Sequence, residues 1–225
     1  MATAVGIMDR DSWRARTDIL ATVDPQRRQV LSVPRDLWCD PVRNRVNVAF
    51  ARGGHDLLVS CLASIGIEAQ HSVCLRRLAV ERALEGVTVT VPVRTPLRFW
   101  YPLAPQAPIE DGRKPVDFDP PEAELSGERL HQWMGARIAR TGPSSDLHRI
   151  RRQQMLVVAL LEQGFDFTSF VRDPDLVKTS SPRVLEELRQ VDASWTFEVF
   201  DRVVPAKIDD KEVLVPAPVS DAPPA

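Results

Sequence analysis

The sequence predicts an α/β fold, a single layered α-β-α domain in which a central mixed sheet is flanked by helices. Short segments rich in Val, Ile, Leu and Thr alternate along the chain with longer segments of helical character, a pattern typical of this class. The chain has 225 residues, 44% of them hydrophobic, enough for one substantial core. We expect one domain over residues 1–215 and a disordered Pro/Ala-rich tail at 216–225.

The predicted strands are short and bounded by turn residues. They cover residues 3–8, 17–23, 28–34, 70–75 and 87–92. Leu58, Leu62 and Ile65 show the spacing of one helix face. Helices are predicted at 55–65, 76–85, 124–138, 146–163 and 182–191, and Gly66, Gly86 and Gly164 lie where helix C-caps are expected.

Composition and charge exclude several classes of protein. The net charge is -2 and the pI is about 6.1, which argues against a nucleic-acid-binding protein driven by bulk electrostatics. Cys39, Cys61 and Cys74 are odd in number and include no Cys-x-x-Cys pair, so neither a zinc site nor a disulfide framework is expected. Cys61 shares a helix face with Leu58 and Leu62, which predicts simple burial.

No segment approaches the roughly 20 apolar residues that cross a bilayer, so no transmembrane helix is expected. The N-terminus carries Asp9 and Asp11 and lacks the basic-then-apolar plan of a signal peptide.

A cluster of cations and amides opens the helix predicted at 146–163. Arg149 and Gln153 lie one turn apart on it, with Arg152 beside them. Guanidinium groups carry paired donors that match phosphate oxygens, and free amides at a helix start add positive partial charge. The cluster therefore predicts a phosphate site, although an arginine-rich first turn is also typical of a solvated helix face.

A second segment strengthens the phosphate interpretation. Residues 18–24 and 28–33 read as two strands joined by a Pro-containing turn, and the second strand ends at Pro34-Arg35-Asp36. Open α/β sheets bind their ligands in loops just beyond strand ends.

These motifs, in their order and spacing, resemble the LytR-CpsA-Psr family. The resemblance is carried by Leu-Ser-Val-Pro-Arg-Asp at 31–36, Arg-Val-Asn-Val-Ala-Phe-Ala-Arg-Gly-Gly at 45–54, Leu-Ser-Gly at 125–127, Trp133, Arg137, Asp146, Arg149 and Arg-Gln-Gln at 152–154. It spans roughly residues 5–165.

The resemblance implies a bacterial cell-wall phosphotransferase. Members of the family bind a polyprenyl diphosphate-linked glycan and move the glycan phosphate onto a cell-wall acceptor, here peptidoglycan or a related polymer. The implied location is the extracytoplasmic membrane face, with membrane-surface association through the lipid substrate. Because the family's usual N-terminal membrane helix is not evident, the chain is expected to be either a trimmed form or a soluble variant.

Site residues follow from the resemblance position by position. The implied catalytic residues are Asp18, Arg35, Arg137 and Arg149, and the implied substrate-binding residues are Arg35, Arg137, Arg140, Arg149, Arg152 and Gln153. Mg²⁺ is the implied cofactor, held by Asp18 with either Asp9 or Asp11. Asp18 or Asp36 would accept the proton of the acceptor hydroxyl, unless Asp36 instead braces an arginine.

The connection at 92–121 is rich in proline, and loops this long are usually functional or disordered. In the family the corresponding region helps to form a tunnel for the lipid chain. Leu97, Phe99, Trp100 and Leu103 are therefore implied as lipid-binding residues, while the alternative is that they anchor a long loop to the core.

Departures from the family pattern, together with the membrane helix that is not evident, favour alternative functions. Gly135 replaces the first arginine of an Arg-x-Arg pair, unless Arg140 takes its place. Arg82 replaces an acid, and Ser126 stands where an aspartate is usual. The alternatives are a non-catalytic polyprenyl-diphosphate-binding or regulatory protein, and a diphosphate hydrolase in which water replaces the sugar hydroxyl.

Overall fold

A computed structural model describes residues 2–104, 107–141 and 145–218. Its strands are β1 (Thr3–Met8), β2 (Thr17–Asp24), β3 (Gln29–Ser32), β4 (Trp38–Cys39), β5 (Asn44–Arg45), β6 (His71–Leu75), β7 (Thr88–Pro92), β8 (Leu97–Pro102), β9 (Arg113–Phe118), β10 (Glu122–Ser126), β11 (Ile138–Thr141), β12 (Val177–Thr179), β13 (Thr196–Val199), β14 (Val203–Ile208) and β15 (Lys211–Pro216). Its helices are α1 (Ala49–Ser64), α2 (Arg77–Ala83), α3 (Glu128–Gly135), α4 (Asp146–Glu162) and α5 (Arg183–Arg189).

A mixed six-stranded sheet lies at the centre, in the order β12-β6-β1-β2-β3-β13. β1 pairs parallel with β6 and β3 pairs parallel with β13, whereas the other neighbours are antiparallel. Side chains alternate between its two faces, as the period of a strand requires. Ala4 and Leu20 pack on the side of α1, while Val5 and Ile7 pack with the core that includes α2, α3 and α4. The predicted layered α/β class is confirmed.

The predicted strands at 3–8, 17–23, 28–34, 70–75 and 87–92 are present within a few residues of their predicted ends. The first predicted helix begins earlier than expected, at Ala49, and is kinked at Gly53 and Gly54, which leave helical geometry. Gly54 has a positive φ of 66°, a conformation that glycine adopts without steric cost. The predicted start at residue 55 thus marks the segment that follows the kink.

Two predictions between residues 92 and 138 were wrong. The proline-rich segment is not a plain loop, because β8 and β9 form an antiparallel hairpin and β11 pairs with the other edge of β8. Pro115 is accommodated there because β9 is an edge strand. The helix predicted over 124–138 is strand β10 followed by α3, because Ala123 and Leu125 alternate with exposed neighbours and pair with β7.

The prediction that no disulfide framework exists was also wrong. Cys39 and Cys61 form a disulfide with their Cα atoms 5.5 Å apart, which joins β4 to α1. Cys74 is a buried free thiol. The pairing was hidden because one cysteine left over makes the count odd, and because the partners are separated by 22 residues.

Pro216, the first residue of the expected tail, pairs with Val203 as the last residue of β15. Residues 219–225 of that tail lie outside the described residues. Among the described helices, none has both the length and the apolar character needed to cross a bilayer.

Candidate functional site

A cavity of about 440 Å³ opens beside the ends of β1 and β2, next to α2, α3 and the start of α4. Its polar lining contains Asp9, Asp18, Arg35, Arg77, Glu81, Tyr101, His131, Arg137 and Arg149. Four of these, Asp18, Arg35, Arg137 and Arg149, are the whole predicted catalytic set. Residues separated by up to 131 positions therefore meet in one place.

Asp18 owes its position to an irregularity in strand pairing. Ile7 pairs with Ile19 and Met8 with Thr17, so the register shifts and Asp18 is the extra residue of a bulge. Bulges of this kind redirect a side chain and are common beside functional sites. Here the bulge puts the carboxylate of Asp18 among arginines from two other elements.

The carboxylate Oδ1 of Asp18 accepts hydrogen bonds from both Arg35 and Arg149, the latter at 2.9 Å. Arg149 also lies 2.7 Å from a carboxylate oxygen of Asp146, one turn away on α4. The Arg149 side chain is only 3% exposed. A buried guanidinium is stable only when it is paired, and these two carboxylates supply the pairing.

The pKa values show which groups stay charged. Burial alone would raise the pKa of Asp18, but Arg149 and Arg35 overcome it and hold the pKa below its ordinary value. Burial acts to lower the pKa of Arg149, yet Asp18 and Asp146 raise it above normal. The cluster therefore remains ionised.

Asp9 is the second carboxylate of the cavity. Burial, followed by repulsion from Asp18, raises the pKa of Asp9. Its Oδ1 atom is buried without a hydrogen-bond partner among the described atoms. Asp11, the competing metal-ligand position, instead pairs with Arg76 and lies outside the cavity lining.

The donor set of Asp9 and Asp18 fits a hard cation in part. The unpartnered oxygen of Asp9 and the mutual repulsion of the two carboxylates are features that a divalent cation would relieve. In the described part of the chain no group of three or more His, Cys, Asp or Glu residues has the geometry of a complete metal site. Further oxygen ligands would have to come from a substrate or water.

The remaining arginines divide between the cavity and other places. Arg137 lines the cavity and acts electrostatically on Asp18. Arg140 lies outside the lining, where it pairs with Asp117 at 2.8 Å and stacks on Trp100. Gly135 lines the cavity itself, so Arg140 does not replace the missing arginine at that point.

Arg152 and Gln153, two predicted substrate-binding residues, contact the end of α3 rather than the cavity. Arg152 donates to the carbonyls of Trp133 and Ala136 and lies over the ring of Phe99. Burial lowers its pKa to about 10. The Gln153 amide donates to the carbonyl of Met134 at 3.0 Å. Both side chains thus fasten α4 to α3 and support the positions of Gly135 and Arg137.

The predicted lipid-binding residues lie on the small sheet of β8, β9 and β11. Phe99 is 3% exposed within the core, and Trp100 lies beneath Arg113 and Arg140. Leu97 packs against the same core, and Leu103 is 56% exposed. Phe99 and Leu97 thus contact the core, as the alternative interpretation expects, whereas Leu103 does not.

An apolar cavity of about 150 Å³ lies instead between the sheet and the helices α2, α4 and α5. Its lining includes Val5, Ile7, Ile19, Ala21, Val80, Met134, Gln153, Leu156, Val157, Leu160, Phe167, Phe170 and Phe197. Ile7, Ile19, Val80 and Met134 line the polar cavity as well, so the two cavities adjoin. The available sequence signal was the apolar alternation of β1 and β2, which also describes an ordinary core.

Two other positions singled out in the sequence have structural contacts. Asp36 braces Arg45, with a separation of 3.4 Å, and lies outside the polar cavity lining. Arg82 pairs with Asp173 at 2.6 Å, so its change of charge is compensated on the surface.

The sequence reasoning missed four residues of the cavity lining, Arg77, Glu81, Tyr101 and His131. Only Arg77 and Glu81 carried a signal in the sequence, which is their four-residue helical spacing.

Comparison with solved structures finds several similar folds. The chain is 20% identical to TagT in a structure of TagT bound to LI-WTA, with a TM-score of 0.63 and coverage of 95% of this chain and 83% of that chain. For B. subtilis TagU the identity is 18%, the TM-score 0.56, and the coverage 95% and 89%. For B. subtilis TagV the values are 17%, 0.61, and 96% and 91%.

A comparison with curated protein sequences gives no match. A sequence model described as the LytR_cpsA_psr family, by contrast, matches residues 4–214. The match covers nearly the whole chain, including every residue of the two adjoining cavities, and it extends the predicted resemblance well beyond residue 165. The chain belongs to the LytR_cpsA_psr family.

Proposed function

We propose that this protein transfers a glycan phosphate from a polyprenyl diphosphate-linked glycan to peptidoglycan or a related acceptor. Membership of the family and the fold shared with TagT, TagU and TagV support the broader role of a cell-wall glycopolymer transferase. The observation that carries the finer proposal is the convergence of Asp18, Arg35, Arg137 and Arg149 in one cavity that adjoins an apolar one.

The polar cavity suits a diphosphate because of its guanidinium donors. Four arginines and three carboxylates line it, and a further carboxylate, that of Asp146, pairs with Arg149 from outside the lining, so the arginine side chains rather than a large net charge would hold an anionic headgroup. Guanidinium groups also present paired donors that match phosphoryl oxygens. A diphosphate diester resists nucleophiles because of its own negative charge, so neutralisation and alignment account for most of the catalysis required.

The apolar cavity suits the isoprenoid portion of the same substrate. Its lining is almost wholly aliphatic and aromatic, and it meets the polar cavity at Ile7, Ile19, Val80 and Met134. A lipid diphosphate has the same division, with an anionic head next to an apolar chain. Each CH₂ group that is buried there contributes about 0.8 kcal/mol to binding.

In the proposed reaction the acceptor hydroxyl oxygen forms a bond to the sugar-bearing phosphorus. The bond from that phosphorus to the bridging oxygen breaks, and lipid monophosphate leaves. Arg35, Arg137 and Arg149 bind and orient the phosphoryl groups. Of the two proposed proton acceptors, Asp18 and Asp36, only Asp18 lines the cavity. Mg²⁺, held by Asp9 and Asp18, would supply further neutralisation of phosphoryl charge.

Gly135 supports a second candidate, a polyprenyl-diphosphate-binding protein without transfer activity. The cavity lacks an arginine at this position, and the guanidinium group of Arg140 forms an ion pair with Asp117. One lost cation would weaken transition-state stabilisation more than ground-state binding if it contacts only the developing charge. Binding without turnover is the distinguishing result.

We also propose an extracytoplasmic location. Disulfides persist in oxidising compartments and are rare in the reducing cytosol, so the Cys39–Cys61 bond supports the location that the family resemblance implies.

The test is transfer of glycan phosphate from a polyprenyl diphosphate donor to peptidoglycan fragments in the presence of Mg²⁺. We expect wild-type protein and Arg140→Gln to be active and Arg149→Ala to lose activity while remaining folded. Product formation at equal rates by Arg149→Ala would refute the proposal. Donor binding without product would favour the non-catalytic candidate.

A further inference from the structure

A second polar group lines the same cavity, separate from the arginines that contact Asp18. Arg77 and Glu81 come from α2, Tyr101 from β8 and His131 from α3. We call these four residues the α2–α3 cluster. The diphosphate chemistry described above gives them no role.

The members of the α2–α3 cluster hold one another in place. Arg77 Nε donates to Glu81 Oε1 at 2.8 Å, and Arg77 Nη2 lies 3.4 Å from His131 Nδ1. The side chains of Arg77 and Glu81 are 25% and 24% exposed, so they are partly buried yet open to the cavity. Tyr101 interacts electrostatically with Arg77 and with Asp18, which places it between the two polar groups.

The α2–α3 cluster has no net charge and, unlike the residues around Asp18, includes neutral hydrogen-bonding side chains. The charges of Arg77 and Glu81 cancel. Burial and then Arg77 lower the pKa of His131, against the opposing effect of Glu81 and Glu128, so its ring is neutral near pH 7. Burial raises the pKa of Tyr101, whose phenol therefore stays protonated. Such a surface offers both donors and acceptors without net charge, which suits hydroxyl and amide groups better than a second phosphate.

The cluster continues into a groove of about 340 Å³ between α2 and α3. Glu81, His131, Val80 and Met134 line both the cavity and the groove. Its other lining residues are Leu78, Arg82, Leu84, Glu85, Gly86, Gly127 and Leu130. The volume lies within the range of roughly 300–1,000 Å³ that is usual for small-molecule sites. A ligand longer than one sugar could therefore extend from the phosphate-binding end toward the surface.

We propose that the α2–α3 cluster and its groove form a subsite for an uncharged saccharide, held next to the reacting phosphate. This inference rests on the proposed function, because that function supplies the saccharide. Two sources share the chemistry of hydroxyl and acetamido groups: the acceptor glycan, and the glycan carried on the lipid diphosphate. Glu81 and His131 are the specificity-determining residues, since they line both spaces.

The test measures equilibrium binding by the full chain to three soluble or detergent-dispersed probes. They are an oligosaccharide of β-1,4-linked N-acetylglucosamine, farnesyl diphosphate, and a polyprenyl diphosphate that carries N-acetylglucosamine. The variants are Glu81→Ala and His131→Gln, and the matched control is Glu162→Ala on the exposed end of α4. Thermal unfolding verifies that each variant is folded, and either variant is sufficient for the test.

We expect His131→Gln to bind farnesyl diphosphate as the wild type does. A loss of about tenfold or more for the free oligosaccharide identifies the acceptor as the occupant, whereas a similar loss confined to the sugar-bearing lipid identifies the donor. Unchanged affinity for both sugar probes overturns the inference. The inference is also overturned if Glu81→Ala binds farnesyl diphosphate more tightly while its sugar binding is unchanged. That result would show that Arg77 binds phosphate. Failure of wild-type protein to bind farnesyl diphosphate would count against the proposed function instead.

Discussion

At the scale of single residues, the candidate site depends on one carboxylate that two arginines share. Asp18 is brought to them by a bulge, and Arg149 is almost fully buried against it. The sequence supplied the identities of these residues through motif order, but not their contacts. The bulge cannot be read from motifs, because it depends on how β1 and β2 align in three dimensions. The pairing of Arg149 with Asp146 is local to α4, and its three-residue spacing can be read from the sequence.

The Asp18 ion pair predicts a specific loss of stability in acid. The pKa of Asp18 lies below its ordinary value of 3.8 in the folded protein, so its charge stabilises the fold above that pH and the contribution disappears as pH falls through the folded value. Wild-type protein should be more stable than Asp18→Asn at pH 7, by up to about 3 kcal/mol. Urea unfolding should show this difference shrinking below about pH 4. A difference that is constant with pH would contradict the assignment.

The charge of Asp9 is expected to destabilise the fold, in contrast to the charge of Asp18. The pKa of Asp9 is raised, so its ionised form is penalised in the folded state at neutral pH; the penalty declines as pH falls through that pKa and is gone below the ordinary value of 3.8. Without metal, Asp9→Asn should have a higher melting temperature than wild type at pH 7. Mg²⁺ should raise the melting temperature of wild type but not of Asp9→Asn. Equal responses of the two proteins to Mg²⁺ would exclude Asp9 as a ligand.

At the scale of elements, local pattern predicted the buried strands and long helices, and failed where pairing partners decide the structure. The alternation of Glu122–Ser126 indicates a strand only when β7 is known to lie beside it, and β8 and β9 form a hairpin despite their prolines. Arg152 and Gln153 were predicted to bind substrate from their place in the helical cluster and from the family resemblance. Their direction is set by α3, whose terminal carbonyls they satisfy.

The disulfide between β4 and α1 is expected to contribute to the stability of the fold. Closing a loop of this length removes enough unfolded-chain entropy to stabilise the fold by roughly 3 kcal/mol. Reduction should therefore lower the urea midpoint of wild-type protein. The Cys39→Ala/Cys61→Ala double variant should start from the lower midpoint and be insensitive to the reductant. An unchanged wild-type midpoint under reducing conditions would show that the bond contributes little.

At the scale of the whole molecule, the fold sets an arginine-lined cavity beside an apolar one, between the sheet and its helices. The class of fold followed from the sequence because strands and helices alternate along it. The apolar cavity did not follow from the sequence, because the residues that line it have the pattern of an ordinary core until their packing is known.

A substitution that fills the apolar cavity should weaken binding of the lipid chain and leave binding of the diphosphate unchanged. Ala21 lines it from β2, and Ala21→Phe would occupy its volume at a packing cost of about 1–3 kcal/mol. We expect weaker binding of long isoprenyl diphosphates and unchanged binding of inorganic diphosphate. Ala206→Phe, on the remote β14, is the control. Equal losses for both probes, or for both variants, would argue against lipid in this cavity.

The most direct test of the account is calorimetric binding of farnesyl diphosphate to wild type, Arg35→Gln, Arg137→Gln and Arg140→Gln. Arg35 and Arg137 line the cavity and Arg140 does not. The account predicts losses of about 10- to 100-fold for Arg35→Gln and Arg137→Gln, and wild-type affinity for Arg140→Gln. Equal affinities for all four proteins, or a loss in Arg140→Gln as large as in Arg137→Gln, would contradict it.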